Sequence, residues 1–159
     1  MRVIKIKCNK NNYGEKRKAD AVRGIVIHYT GLDNDSAINE GKYFSQAVNP
    51  PRSAHYFIDG SGQIVKSVPR NRVAWSVGTP QAGCSFNNYN TISIELCDIK
   101  SHDITEAQLK SLKWLISFIQ KRHKNAYAIL RHYDINGKLC PAGYVDRNKW
   151  LSLQTKLFT

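Results

Sequence analysis

Residues 25–30 read Ile25-Val26-Ile27-His28-Tyr29-Thr30, an unbroken aliphatic run that ends in an imidazole, a phenol and a hydroxyl. Three aliphatics in a row without alternation suit a central strand covered on both faces, and the polar residues mark where it opens into a loop. Upstream, residues 2–7 read as a short strand and Asn9 to Asp20 as a polar, basic connection of poor periodicity. Downstream, Asp35 is placed to cap a helix whose Ala37, Gly41, Phe44 and Val48 recur at helical spacing until Pro50-Pro51 stops it. His55-Tyr56-Phe57-Ile58 and Gln63-Ile64-Val65 flank Asp59-Gly60-Ser61-Gly62, which predicts a hairpin.

The segment Thr79 to Tyr89 is rich in Gly, Asn and Ser and reads as a surface loop. In the strand Thr91 to Cys97, alternation puts Ile92, Ile94 and Leu96 on one face and Ser93, Glu95 and Cys97 on the other. Thr105 and Gln108 form a capping-box pair ahead of an amphipathic helix with Leu109, Leu112, Leu115, Ile116 and Ile119 as its buried stripe. Ala128-Ile129-Leu130 is a further short strand ending at Arg131-His132, and Asp146 caps a last helix to about Leu157. Strands and helices interleave, so the fold class is α/β: a single domain over 1–159 with a central mixed β-sheet flanked by helices.

A chain of 159 residues fits one ordinary domain and can bury roughly 70% of its unfolded surface. With 42% hydrophobic and 23% charged residues it is neither disordered nor fibrous, and no apolar run approaches the roughly 20 residues of a membrane span. The N-terminus alternates charge with aliphatics and carries no secretory signal block. The net charge is +12, and residues 1–23 hold eight bases against two acids. Such a surface concentrates polyanions, whether nucleic acid, acidic lipid or anionic cell-wall polymer. The four cysteines, Cys8, Cys84, Cys97 and Cys140, show no Cys-x-x-Cys pair, which fits a reducing compartment of synthesis, and Cys8 and Cys97 read as inert buried thiols.

Two histidines stand where apolar strands end, His28 and His132, and Cys140 follows eight positions after the second. Two imidazoles and a thiolate are three good zinc ligands that leave a fourth tetrahedral position for water. By themselves these spacings suit equally well a hydrogen-bonded structural His28 and a buried Cys140 thiol. Glu95 on an otherwise apolar strand reads either as a surface acid or as a proton acceptor beside such a site. Lys138 reads as an exposed loop lysine or as a partner for a developing oxyanion.

Five segments in order are Val26-Ile27-His28-Tyr29-Thr30, Ser53-Ala54-His55-Tyr56-Phe57-Ile58-Asp59, Val73-Ala74-Trp75, Ile92-Ser93-Ile94-Glu95 and Gly137-Lys138-Leu139-Cys140-Pro141. In them the chain resembles the zinc-dependent N-acetylmuramoyl-L-alanine amidases of type 2. That family has the peptidoglycan-recognition-protein fold and includes phage endolysins and bacterial autolysins. The likeness runs from about residue 23 to 155, leaving 1–22 as a basic N-terminal strand and connection. It implies His28, His132 and Cys140 as ligands of Zn2+, Glu95 as the catalytic acid/base and Lys138 as the group that stabilises the tetrahedral intermediate. It further implies substrate contacts at Tyr29, His55 and Trp75. Two positions depart from the family: Ser76 stands where many relatives have His, and Ala54 where some have a catalytic Tyr.

The expected partner is peptidoglycan and its muropeptides, with anionic wall polymers drawn by the basic surface, and the expected state a monomer without nucleic acid. With no signal, the protein is expected to be made in the cytoplasm and to act on the wall after release, as endolysins do, or after non-standard export. The rival readings are a peptidoglycan-binding module of the same fold without catalysis, and a basic nucleic-acid-binding domain. The second would need Tyr43, Phe44, Tyr56 and Phe57 as stacking platforms, and these fall in elements that read as core.

Overall fold

A computed structural model describes residues 1–159. The strands are β1 (Val3–Lys5), β2 (Tyr13–Lys16), β3 (Gly24–Tyr29), β4 (Tyr56–Ile58), β5 (Ile64–Lys66), β6 (Arg72–Ala74), β7 (Thr91–Leu96) and β8 (Ala128–Arg131). The helices are α1 (Ala37–Phe44), α2 (Glu106–Gln120), α3 (His132–Asn136) and α4 (Arg147–Phe158). Six strands form one mixed sheet in the order β1-β5-β4-β7-β3-β8, parallel throughout except between β4 and β5. That single antiparallel pair is the expected hairpin, and Gly62 turns it with φ +82°, where a Cβ would lie 2.7 Å from the Ala107 carbonyl oxygen. No helix is long and apolar enough to cross a membrane.

Side-chain alternation divides the sheet into two environments. Ile25, Ile27, Ile92, Ile94 and Leu96 pack against Leu112, Leu115, Ile116 and Ile119 of α2 and Trp150, Leu153 and Leu157 of α4. On the other face Phe57, Val65 and Cys97 pack against Ala37 and Phe44 of α1, while Val26 meets Val77 and Ile135. Tyr56, Phe57 and Phe44 are therefore core, and only Tyr43 of the four candidate stacking aromatics is well exposed. On this second face the gap between α1 and α3 lies over the ends of β3 and β7, and it becomes the cleft.

Several local expectations change. The connection 9–20 contains two 3-10 turns and β2, which pairs with β6 as a separate two-stranded ribbon. Such short segments lack the length for a periodic signal. The cap of α1 is Ser36, whose hydroxyl accepts from the Asn39 amide, one residue later than Asp35; the helix ends at Phe44, before the prolines. Asp35 instead accepts from the Ser36 amide. Thr105 caps α2 as expected, but Gln108 does not reach back to complete a box. Its side-chain amide, buried, donates to the carbonyls of Ile58 (2.8 Å) and Cys97 (2.9 Å), tying α2 to the ends of β4 and β7.

Replacing Gln108 with Leu strands the buried Cys97 carbonyl and leaves that of Ile58 with the Cys97 amide alone. It should lower stability by about 1–3 kcal/mol, read as an earlier urea midpoint with an unchanged slope. An unmoved midpoint would show that the Cys97 carbonyl finds another donor.

Candidate metal centre

The parallel register pairs Ile27 of β3 with Arg131 of β8, so the residues that follow, His28 within β3 and His132 at the start of α3, stand side by side. Their ring centroids lie 4.8 Å apart. Arg131 ends β8 firmly: the Asp134 carboxylate accepts from its amide (2.7 Å) and its guanidinium, which also donates to the carbonyls of Tyr144 and Val145. The five-residue α3 stops at Gly137 in the left-handed region (φ +79°). The chain then folds back, and the Tyr133 amide donates to the Cys140 carbonyl at 3.0 Å. This return brings Cys140 Sγ to 3.9 Å from His28 Nδ1. One donor atom from each of His28, His132 and Cys140 lies within 4.8 Å of the others, and all three residues are buried.

The donor chemistry fits a zinc ion. A carbonyl only accepts, so the contact of His132 Nε2 with the Val77 carbonyl (3.2 Å) puts the ring proton on Nε2 and leaves Nδ1 with its lone pair. That Nδ1 is buried without a hydrogen-bond partner, and His28 turns its own Nδ1 toward the Cys140 sulfur. The Val77 carbonyl is itself fixed, since Asn88 Oδ1 accepts from the amides of Ser76 and Val77 and the Asn136 side chain donates to the same oxygen at 2.7 Å. Burial keeps both imidazoles neutral, driving His28 well below the usual histidine range and His132 down to about 4, with the Lys138 charge adding to both. Burial pushes the Cys140 thiol up to about 12, so a cation must displace its proton. Tetrahedral zinc requires its nitrogen and sulfur ligands about 3.6 Å apart; the observed 3.9 Å is close to that.

Glu95 is the register partner of His28 on β7. Its Oε2 is buried with no partner, and burial first, then the negative charge of Glu40, lifts its carboxyl to about 8 against the pull of Lys138. Lys138 stands exposed at the opposite lip, immediately after Gly137. The cleft has a volume of about 510 Å³, and His28, Glu95, His132, Lys138, Cys140, Tyr29 and Trp75 all line it.

His55, expected at the substrate, is not among the lining residues. It is fully buried: Nδ1 accepts from the Ser93 amide (3.1 Å), Nε2 lies 3.0 Å from the Arg72 carbonyl, and the Arg17 guanidinium sits 3.0 Å from the same nitrogen. It is a strut between strands rather than a contact surface. Ser76, in place of the family histidine, shares a short hydrogen bond with the Ser93 hydroxyl. Sequence reading missed Glu40, Tyr43 and Arg52, which form the α1 side of the cleft. Arg52 donates to the Tyr43 hydroxyl at 2.8 Å. Their only linear signal is that they fall outside the apolar repeat of the helix. A second group, Asp33, Asp98 and His102, lies at the surface with its carboxylates already accepting from the Ser101 and Asn34 amides.

The sequence profile of the N-acetylmuramoyl-L-alanine amidase family matches residues 18–143, which include all three metal-site residues, Glu95 and Lys138. The chain belongs to this family. Among curated amidase relatives it is 32% identical over 145 residues to N-acetylmuramoyl-L-alanine amidase CwlL of Bacillus licheniformis, covering 85% of this chain and 40% of that protein. It is 28% identical over 163 residues to N-acetylmuramoyl-L-alanine amidase CwlA of Bacillus subtilis, covering 99% of this chain and 57% of that one. The chain thus spans roughly half the length of these relatives. The solved structure of PlyL has the same fold, with a TM-score of 0.80 at 24% identity over 99% of this chain and 97% of that one.

Replacing His28 or Cys140 with Ala should weaken zinc binding by more than about 100-fold while circular dichroism stays native. Full metal content in either variant, by elemental analysis after dialysis, would remove that residue from the site.

Proposed function

We propose that this chain is a zinc-dependent N-acetylmuramoyl-L-alanine amidase, hydrolysing the amide between the lactyl group of N-acetylmuramic acid and the L-alanine of the peptide stem in peptidoglycan. The observation that carries the reading is the convergence of His28, His132 and Cys140, all buried, with His132 Nδ1 unpartnered and His28 Nδ1 facing the sulfur, at the floor of an open cleft beside Glu95. Bound by these three residues, the ion supplies Lewis acidity that acidifies water and polarises a carbonyl.

The chain's own groups do the rest. A carboxyl poised near neutrality takes a proton from the attacking water and returns it to the alanine nitrogen as the C–N bond breaks, and Glu95 has that poise. The Lys138 ammonium faces the negative charge that develops on the carbonyl oxygen. The Val77 carbonyl holds His132 in one tautomer, so its lone pair stays aimed inward. Tyr29 and Trp75 offer apolar and polar edges along the cleft, and Arg52, steadied by Tyr43, offers a cation to the free carboxylates of a stem peptide. The rival reading, a binding module that has lost catalysis, is opposed by the complete donor set. Acting as a monomer on the wall, the protein would be drawn to anionic wall polymers by its net charge of +12.

Glu95→Gln should retain zinc while hydrolysis of purified peptidoglycan falls by about 10²–10⁴, measured by mass spectrometry of released stems. Release at the wild-type rate would strip Glu95 of its role. Raising salt from low to physiological strength should slow lysis of whole cell walls far more than cleavage of a small soluble muropeptide, because long-range attraction is screened within about 10 Å. Equal sensitivity on both substrates would mean that net charge does not recruit the protein.

A further inference from the structure

Four basic residues gather on the face of the sheet opposite the cleft. Val3 and Ile64 pack into the core beneath α2, so Lys5 and Lys66, two residues further along the paired strands β1 and β5, face the same way. The register sets Lys5 directly beside Lys66. Arg70 reaches this group by donating to the Tyr56 hydroxyl at 2.7 Å. The guanidinium carbons of Arg70 and Arg122 lie 5.1 and 4.0 Å from the centroid of the Phe118 ring on α2. Phe118 in turn stacks on Trp114, with centroids 5.0 Å apart and planes 19° from parallel.

No carboxylate answers these charges. The protein's three ion pairs involve none of the four. Lys66 is held below the usual lysine range by burial and by the like charges of Arg70 and Lys5. Like charges crowded without a counter-ion repel one another, so the folded state holds a local excess that a bound anion would relieve. The two guanidiniums are already ordered against Phe118, so a ligand that pairs with them loses little side-chain freedom.

We propose that Lys5, Lys66, Arg70 and Arg122 form a docking site for a linear phosphodiester polyanion of the wall-polymer class, separate from the cleft and on the opposite face of the sheet. A polymer with a charge at each repeat can meet all four cations in succession, and the forked guanidiniums match phosphate oxygens in pairs. The aromatic geometry favours a polymer without bases. Binding of single-stranded nucleic acid relies on free ring faces for stacking, whereas Phe118 is taken up by Trp114 and the two arginines. The amidase reading supplies only the setting, a cell wall, and the site stands or falls independently of it.

The test compares Lys5→Gln/Lys66→Gln/Arg122→Gln with Lys10→Gln/Lys100→Gln/Lys156→Gln, which removes the same charge from exposed positions elsewhere. The probe is poly(glycerol phosphate) of defined length at about 0.1 M salt, with affinity read by titration calorimetry. The first variant should bind at least about 10-fold more weakly, and its log-affinity slope against log salt should flatten by about 2. The second should stay within about threefold of wild type. Both should cleave a soluble muropeptide at the wild-type rate. Arg122→Gln alone, at an exposed residue past the end of α2, should weaken binding measurably and guards against misfolding of the triple variant. Equal weakening by the two triple variants would replace the patch with diffuse attraction, and tighter binding of a single-stranded oligonucleotide of equal charge would overturn the polymer class. An inactive wild type that still binds the polymer through this patch would sink the amidase reading and leave the docking site standing.

Discussion

The parallel alignment of three strands governs what this molecule can do. β3 lies between β7 and β8, and the two registers set His28 against Glu95 on one side and Ile27 against Arg131 on the other. A slip of one residue in either pairing would turn a functional side chain to the opposite face. The slip is resisted by Ile25, Ile27, Ile92, Ile94 and Leu96, which would all leave the core together. The hydrophobic effect on one face thus fixes the polar geometry on the other. Cys140 is the one member of the candidate centre that this register does not deliver; the left-handed turn at Gly137 and the Tyr133–Cys140 backbone bond do so.

That geometry holds polar atoms in an unfavourable state. His28 Nε2, His132 Nδ1 and Glu95 Oε2 are all buried and unpaired, and all three residues line one cleft. Buried polar groups normally find partners, and each that does not costs roughly 1–3 kcal/mol. Two of them, His132 Nδ1 and Glu95 Oε2, share the cleft with the His28 Nδ1–Cys140 Sγ pair and describe a place prepared for a ligand rather than separate packing faults. The surroundings are correspondingly over-determined: Asn88, Asn136 and Val77 fix one imidazole, and Arg131 with Asp134 fixes the helix start that carries it.

What the sequence revealed follows from how far each residue's position depends on distant packing. Both histidines were legible because an apolar run that ends in a polar residue marks a strand end by itself. Glu95 was legible as one of the off-core residues of an alternating strand, although its choice between solvent and cleft was not. Cys140 needed the family motif to be chosen over a buried thiol, since the rest of α3 and its return loop, seven residues, separate it from His132. His55 was expected at the substrate on the family motif alone, and the structure buries its imidazole against the Ser93 amide, while Ser53, two residues earlier, lines the cleft. Glu40 showed only as a residue off the apolar repeat, because its place in the cleft depends on how α1 packs over β4 and β5, and Arg52 enters from the segment beyond that helix. The ribbon of β2 and β6 was too short to show a period.

The basic N-terminal segment shows why net charge alone is a poor guide to surface potential. Arg17 belongs to the run that holds eight bases, yet its guanidinium is turned inward, donating to the carbonyls of Arg70, Asn88, Tyr89 and Thr91. Burial lowers its pKa to about 10 and, with the Arg17 charge beside it, keeps the His55 ring neutral. A neutral His55 with its proton on Nε2 can accept the Ser93 amide at Nδ1, and Ser93 lies two residues before Glu95 on β7. This cation therefore braces the strand that carries the candidate proton acceptor, from within a segment whose other charges face solvent. What sets the bases around Phe118 apart is their spacing, with two guanidiniums stacked on one ring and Lys5 and Lys66 side by side in register.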